Sequence, residues 1–307
     1  MSKIGLSLDL KKSKRIELND PARVEVLDDA GDWLATYTLG AYTVALKGPS
    51  RSFWEPSAAH PLSHEIWIRT LPQPFGGAVD QTWLALALGA NFQETDDVLA
   101  IAMQYVDGAP DVLDGKLRVG GAAFYGPLKE GKREEGSDFN DYLGITWVYP
   151  DGKTDRPESR QKDCLDCSGY MRMVWGYRHH LPFAGVRSGI PLSLDELADS
   201  SAMPRRAVQI CASAPGVLVI PNAGVRVPAS DLDKVQVGDL VFFDADSGDG
   251  TAVDHVGMFM GKDEGGQLRF ISSRKTANAP TLGDNGGKSI LTGNGLYAKA
   301  FRAVRRL

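Results

Sequence analysis

Between Val237 and Ser272 the chain alternates apolar runs of strand length with Gly- and Asp-bearing loops, a pattern that calls for antiparallel sheet. Val237-Gly238-Asp239-Leu240-Val241-Phe242-Phe243 reads as a turn leading into a buried strand. An acidic, Gly-containing loop, Asp244 to Asp254, separates it from His255-Val256-Gly257-Met258-Phe259-Met260-Gly261. A further strand, Leu268-Arg269-Phe270-Ile271-Ser272, follows a loop containing Gly265-Gly266, so the last two runs are expected to pair as a hairpin. A loop centred near residue 264 sets His255 opposite Ser272 or Ser273. An imidazole with a hydroxyl on the next strand has the makings of a general base and its orienting partner.

Upstream, Asp166-Cys167-Ser168-Gly169-Tyr170 leads into a helical run, Met171 to Tyr177. Asp166 suits the N-cap, which puts Cys167 in the first turn, where unpaired N–H groups and the helix dipole favour a thiolate. Ser168 and Gly169 are small enough to leave room for a substrate carbonyl. A lone cysteine is more often an inert core residue; the case for chemistry comes from Cys167 and His255 taken together. Cys164 and Cys167 form a C-x-x-C pair, compatible with redox activity or half a zinc site. Its other half is missing, because Cys211 is alone and His179 and His180 adjoin. His60 and His64 lie four apart in a Pro-containing loop. No metal or other cofactor is therefore expected. Three cysteines in 307 residues are too few for a disulfide framework and suit a reduced compartment.

The amino-terminal third reads as short strands, Arg23 to Leu27, Trp33 to Leu39, Tyr42 to Leu46 and Glu65 to Arg69, with Asp28 to Asp32 and Gly40-Ala41 as turns. Asp80 to Tyr105 reads as one or two helices. The Gly/Pro-rich, charged stretch from Asp107 to Gly136 looks like a solvated connection, which sets a boundary near 120. The expected organisation is an α+β module over 1–120 and a second unit over 121–307. A formal net charge of −5 gives no basic surface for nucleic acid. The basic clusters Lys11, Lys12, Lys14, Arg15 and Arg302, Arg305, Arg306 are expected to be solvated. Met1 to Asp20 has no apolar core of secretory-signal length, and no apolar stretch is long enough to cross a bilayer. As given, the chain is expected in the cytoplasm, or to leave the cell by a route the sequence does not show.

Asp166-Cys167-Ser168-Gly169 on a helix, then Gly238-Asp239-Leu240-Val241-Phe242-Phe243, then His255-Val256-Gly257 on a strand resembles the NlpC-type papain-like cysteine peptidases. Leu143-Gly144, Met203-Pro204-Arg205 and the closing stretch from Tyr297 to Arg306 extend the likeness over residues 137–307. The resemblance implies an α+β fold, a papain-like domain in which the helix carrying Cys packs on an antiparallel sheet carrying His. It implies hydrolysis of short cell-wall-type peptides, commonly beside γ-D-glutamyl residues, through a thioester on Cys167 with His255 as base. By the same resemblance Ser272 stands where the family usually has a third catalytic histidine, and Trp147 stands where it tends to have a tyrosine near the oxyanion. Tyr142 or Tyr149 is an alternative source of that hydroxyl. Asp166, Ser168 and Arg205 are the implied substrate-binding residues, and a peptide, peptidoglycan-derived or otherwise, is the implied partner. Gly176 to Ala202 reads as an insertion. Two other functions fit the same residues: an acyltransferase using the Cys–His pair, and an inactive peptide- or glycan-binding protein.

Overall fold

The structure is a computed structural model that describes residues 12–178, 189–196, 200–246, 248 and 250–307. It is a mixed α/β fold with antiparallel sheets and few helices. The first sheet is a meander of β1 (Lys14–Leu18), β2 (Arg23–Leu27), β3 (Trp33–Thr38), β4 (Thr43–Phe53) and β5 (Leu62–Thr70), in that order and antiparallel throughout. The turn between β2 and β3 closes as its residues dictate: Asp28 Oδ1 accepts from Asp32 N at 2.8 Å, and Gly31 takes a φ of 95° that only glycine adopts at no steric cost. Helix α1 (Gln81–Phe92), capped by Asp80, covers one face and buries Trp83, Leu84 and Leu88 against Tyr37, Leu46 and Trp67. Helix α2 (Val98–Met103) follows, so the expected helical region is two helices. Its cap, Asp97, also accepts from Ile68 N at 2.7 Å and holds Arg51 through both carboxylate oxygens.

The stretch read as a solvated connection contains two small hairpins, β6 (Val112–Asp114) with β7 (Leu117–Gly120), and β8 (Leu128–Lys129) with β9 (Lys132–Arg133). Helix α3 (Phe139–Leu143) and the hairpin β10 (Trp147–Val148) with β11 (Thr154–Asp155) lead to α4 (Cys167–Arg172). Helix α4 runs on as a π-helical turn over Met173–Arg178, and α5 (Ala207–Ser213) comes next. The second sheet is built from β12 (Val217–Ile220), β13 (Leu240–Phe243), β14 (His255–Lys262), β15 (Leu268–Arg274), β16 (Ala279–Thr281) and β17 (Phe301–Arg306), the last preceded by α6 (Leu296–Ala300). Its order is β12-β17-β13-β14-β15-β16, all antiparallel, and α4 lies across β14 and β15.

The β14–β15 hairpin forms as expected, but in a different register. Met258 faces Ile271 and Phe259 faces Phe270, with a bulge between Phe259 and Gly261 that absorbs one residue. Carried toward the start of β14, this register sets His255 across from Arg274, not from Ser272 or Ser273. Gly257 fits where it does because a Cβ there would meet Ile271 O at 2.6 Å and Ser272 Cβ at 3.0 Å.

Residue 120 does not divide two separate cores. One apolar cluster contains Phe53, Leu62 and Ile68 of the first sheet, Val98 and Ile101 of α2, and Phe243, Met258 and Phe270 of the second sheet. Polar ties run the same way: Thr43 N donates to Leu307 O at 2.7 Å, and buried Glu55 accepts from Thr281 Oγ1 and Leu282 N at 2.7 and 2.8 Å. The basic residues at the end are not solvated. Arg306 forks onto Asp239 and reaches Thr38, Arg305 donates to the Cys211 and Ala214 carbonyls, and Arg302 pairs with Asp244 at 3.0 Å. Lys14 and Arg15 are exposed on β1, and Lys11 lies outside the described residues. Among the described residues, no helix is long and apolar enough to cross a membrane.

Candidate active site

The start of α4 is fixed by Asp166, as the sequence predicts. Its Oδ1 accepts from Gly169 N at 2.7 Å and Ser168 Oγ at 3.1 Å, and its Oδ2 from Gly136 N at 3.0 Å. Arg205 donates to both oxygens, at 3.3 and 2.8 Å, and to Ser168 Oγ at 2.8 Å. Burial alone would raise the Asp166 carboxyl, but the Arg205 charge and these hydrogen bonds outweigh it and hold it below the usual carboxylate range. Behind it, Asp138 caps α3 and accepts from Arg172 Nε at 3.0 and 3.1 Å. Gly169 is required here, since a Cβ would run into the Ser137 carbonyl. The helix carrying Cys167 is therefore held to the chain before it by contacts that admit no side chain and by a lattice of buried charges.

That placement brings Cys167 against the start of β14. Its Sγ lies 3.9 Å from Asp254 O, and the nearby Val256 N–H favours its thiolate, though less than burial opposes it. The intervening residue, His255, is buried, and its Nε2 has no hydrogen-bond partner among the described residues. Rings surround it: Tyr297 at 5.2 Å and Phe243 at 5.9 Å between centroids. The expected thiolate is not what the surroundings favour. Burial, then the neighbouring Asp166 carboxylate, push the Cys167 thiol up to about 12. Burial, then the Arg274 charge, push His255 down to about 3. The helix terminus is outweighed by desolvation and by the carboxylate that caps the same helix. The pair at rest is thiol and neutral imidazole.

A cavity of about 520 Å³ opens beside Cys167, lined among others by Tyr125, Glu135, Asp166, Ser168, Arg205 and Val253. Of the residues expected to bind substrate, Asp166, Ser168 and Arg205 reach it and Trp147 does not. Trp147 packs instead against Phe139 at 5.2 Å and Tyr177 at 5.7 Å. Tyr142 and Tyr149 are also elsewhere, bonded to Gly121 O at 2.8 Å and Arg172 Nη2 at 3.0 Å. The tyrosine on the cavity wall is Tyr125, buried and felt electrostatically by Cys167 and Asp166. Its position follows from a bridge between Phe124 and Cys164, with Phe124 N bonded to Asp163 O and Leu165 N to Phe124 O. A single strand-like residue amid a Gly/Pro-rich stretch leaves no periodic signal, which is why Tyr125 was not legible. Its one trace is an aromatic pair, Phe124-Tyr125, just ahead of Gly126-Pro127.

Ser272 is buried, and its hydroxyl accepts from Arg274 Nε at 3.1 Å; it makes no hydrogen bond to His255. Asp166 has little left to offer a ligand, because five donors already share its two oxygens. Cys164 is buried with its Sγ 3.5 Å from Lys162 O, and burial raises it to about 11. All three cysteines are free. His64 sits on β5 with Nε2 3.0 Å from Met260 O, and His60 is exposed. Among the described residues no group of three or more His, Cys, Asp or Glu is arranged to hold a metal ion. His179 and His180 lie outside the described residues. So does much of the stretch expected as an insertion; of its remainder, Ile190 and Leu192 are buried and Ser193 O accepts from Arg172 Nη1 at 2.8 Å. No family model, curated protein or solved structure matches the chain.

Proposed function

We propose that the chain is a cysteine amidase with an NlpC-type, papain-like catalytic unit over residues 121–307, acting on short peptides of the cell-wall kind. The observation that carries this reading is the meeting of Cys167 Sγ with the backbone on either side of His255, next to a cavity large enough for a few residues of peptide. A nucleophile on a helix start and a base on a strand start, brought together only by the fold, is what acyl transfer requires. Neither group gains by charging alone in this setting, whereas proton transfer between them creates both charges at once, side by side. His255 takes the thiol proton as sulfur attacks the amide carbon. It then returns that proton to the leaving amine, and water repeats the cycle on the thioester. The Cys167 N–H, unpaired within its own helix, is the available oxyanion donor. Ser168 and Arg205 line the binding side, while Glu135, an exposed carboxylate whose Oε1 pairs with Lys275 at 2.6 Å, is the one there with an oxygen left to meet a peptide amino end.

The test is cleavage of short γ-D-glutamyl peptides, followed by release of free amine. Cys167→Ala abolishes turnover, and His255→Ala lowers kcat by about 10²–10⁴. Unchanged turnover in Cys167→Ala excludes the mechanism. One observation favours a second reading. The neutral pair and the Ser272 hydroxyl already held by Arg274 also suit a protein that binds peptide without cutting it. Calorimetric binding of intact peptide with no cleavage by the wild type selects that alternative.

A further inference from the structure

We infer that Tyr297 is the positioning residue for the His255 imidazole, through ring stacking clamped by Arg274; this rests on the amidase reading above. A catalytic imidazole needs its ring plane fixed, and the usual device is an acceptor on the nitrogen that faces away from the nucleophile. His255 Nε2 is buried with no hydrogen-bond partner among the described residues, and the register carried on from Met258 and Ile271 sets a cation, Arg274, across the hairpin, where its charge acts on the ring. Orientation falls to packing. The Tyr297 ring lies 5.2 Å from the His255 ring at an interplanar angle of 33°, a tilted stack. Tyr297 is itself immobilised, edge-on to Phe243 at 5.2 Å and to Phe270 at 5.3 Å. The Arg274 guanidinium sits 4.5 Å from the Tyr297 centroid and 5.1 Å from that of Phe270. It is anchored in turn by Ser272 Oγ, Ser289 Oγ and the carbonyls of Asn285 and Gly287.

The charged and titratable groups around His255 are Arg274 from β15, Tyr297 from α6, Cys167 and Asp166 from the start of α4, and Asp254 just before it in the chain. Among the described residues none of them hydrogen-bonds to the imidazole Nε2, which leaves the ring face as its main contact. The element that brings Tyr297 there is α6, a single helical turn immediately before β17, so the last strand of the sheet delivers the platform as well as its own core residues. The inference also gives Ser272 a part: it supports Arg274, which supports the ring.

The experiment uses the full chain with labelled histidine and reads the His255 ring resonances by NMR, assigned by their loss in His255→Gln. In the wild type and in Tyr297→Phe, the His255 ring protons carry the upfield ring-current shift of a stacked aromatic. In Tyr297→Leu that shift drops to the smaller part supplied by Phe243 at 5.9 Å, and kcat on the γ-D-glutamyl peptide falls about tenfold to hundredfold with KM little changed, as misplacement of a catalytic group predicts. Tyr297→Phe restores kcat because the ring, not the hydroxyl, does the positioning. Should Tyr297→Leu fail to fold, Tyr297→Met fills the same space without a ring. An unchanged ring shift, or unchanged kcat, in the ringless variant overturns the inference. A wild type that shows the shift and loses most of it in the ringless variant, yet cleaves nothing, supports the stack and overturns the amidase reading.

Discussion

Cys167 and His255 are each kept uncharged by what surrounds them, and this has measurable consequences at the level of single residues. With the thiol at about 12, iodoacetamide alkylates Cys167 of the free protein at pH 7.5 at least about tenfold more slowly than an exposed thiol, whose pKa is near 8.5. Rapid labelling, read by intact mass, contradicts the assignment. For His255, the folded value near 3 lies below the ordinary 6.5, so between these limits the unfolded chain binds a proton that the folded chain does not. The contribution is complete above about pH 6.5 and is lost as the pH falls toward 3. At pH 5 the loss is about 2 kcal/mol. Asp141, raised by burial to about 6, acts in the opposite sense over the same range, so wild type must be compared with a variant at each pH. His255→Gln gains on the wild type by about 2 kcal/mol between pH 7.5 and 5 in urea unfolding. A constant difference refutes the buried neutral imidazole.

The β14–β15 hairpin is the element on which the site depends. Gly257 faces the Ile271 carbonyl and Ser272, both part of a strand that cannot move aside without unpairing from β16. Gly257→Ala is expected to cost about 1–3 kcal/mol in thermal or urea unfolding, as overpacking does; a loss below about 0.5 kcal/mol contradicts the close packing seen here. This glycine was legible as part of His255-Val256-Gly257, as were the Asp166 cap, the Cys167 helix and both strands, because each follows a local pattern of period or spacing. The register was not. The hairpin turns about residue 265, with Lys262 opposite Leu268, and the bulge after Phe259 takes back only one position, so Arg274 and not Ser272 or Ser273 falls across from His255; nothing in the run His255 to Ser272 marks where the turn centre or the bulge will fall. The supporting rings of Tyr297 and the cavity residue Tyr125 were illegible for the same kind of reason. Each arrives from a distant, nearly aperiodic segment, so only the closed fold reveals its neighbours.

Across the whole molecule, the first sheet and the second share one apolar cluster, and buried polar groups stitch them together. Removing residues 1–120 would strip Phe53, Leu62, Ile68 and α2 from that cluster and leave the backbone N–H groups of Leu282 and Gly283 without Glu55. The full chain is therefore expected to unfold in one urea transition, and a fragment of residues 121–307 to show no cooperative one. A fragment that unfolds cooperatively with the full chain's activity contradicts the shared core. Arg306→Met, which leaves Asp239 buried without its partner, costs about 3–5 kcal/mol. The central claim, that this scaffold exists to let Cys167 accept an acyl group, is tested most directly by trapping that intermediate. The protein is mixed with a γ-D-glutamyl peptide, quenched in acid within seconds and examined by intact mass and peptide mapping. The account predicts a mass increase equal to the acyl portion of the peptide, located on Cys167 and absent in Cys167→Ala. An adduct on another residue, or peptide cleavage that proceeds unchanged in Cys167→Ala, contradicts it.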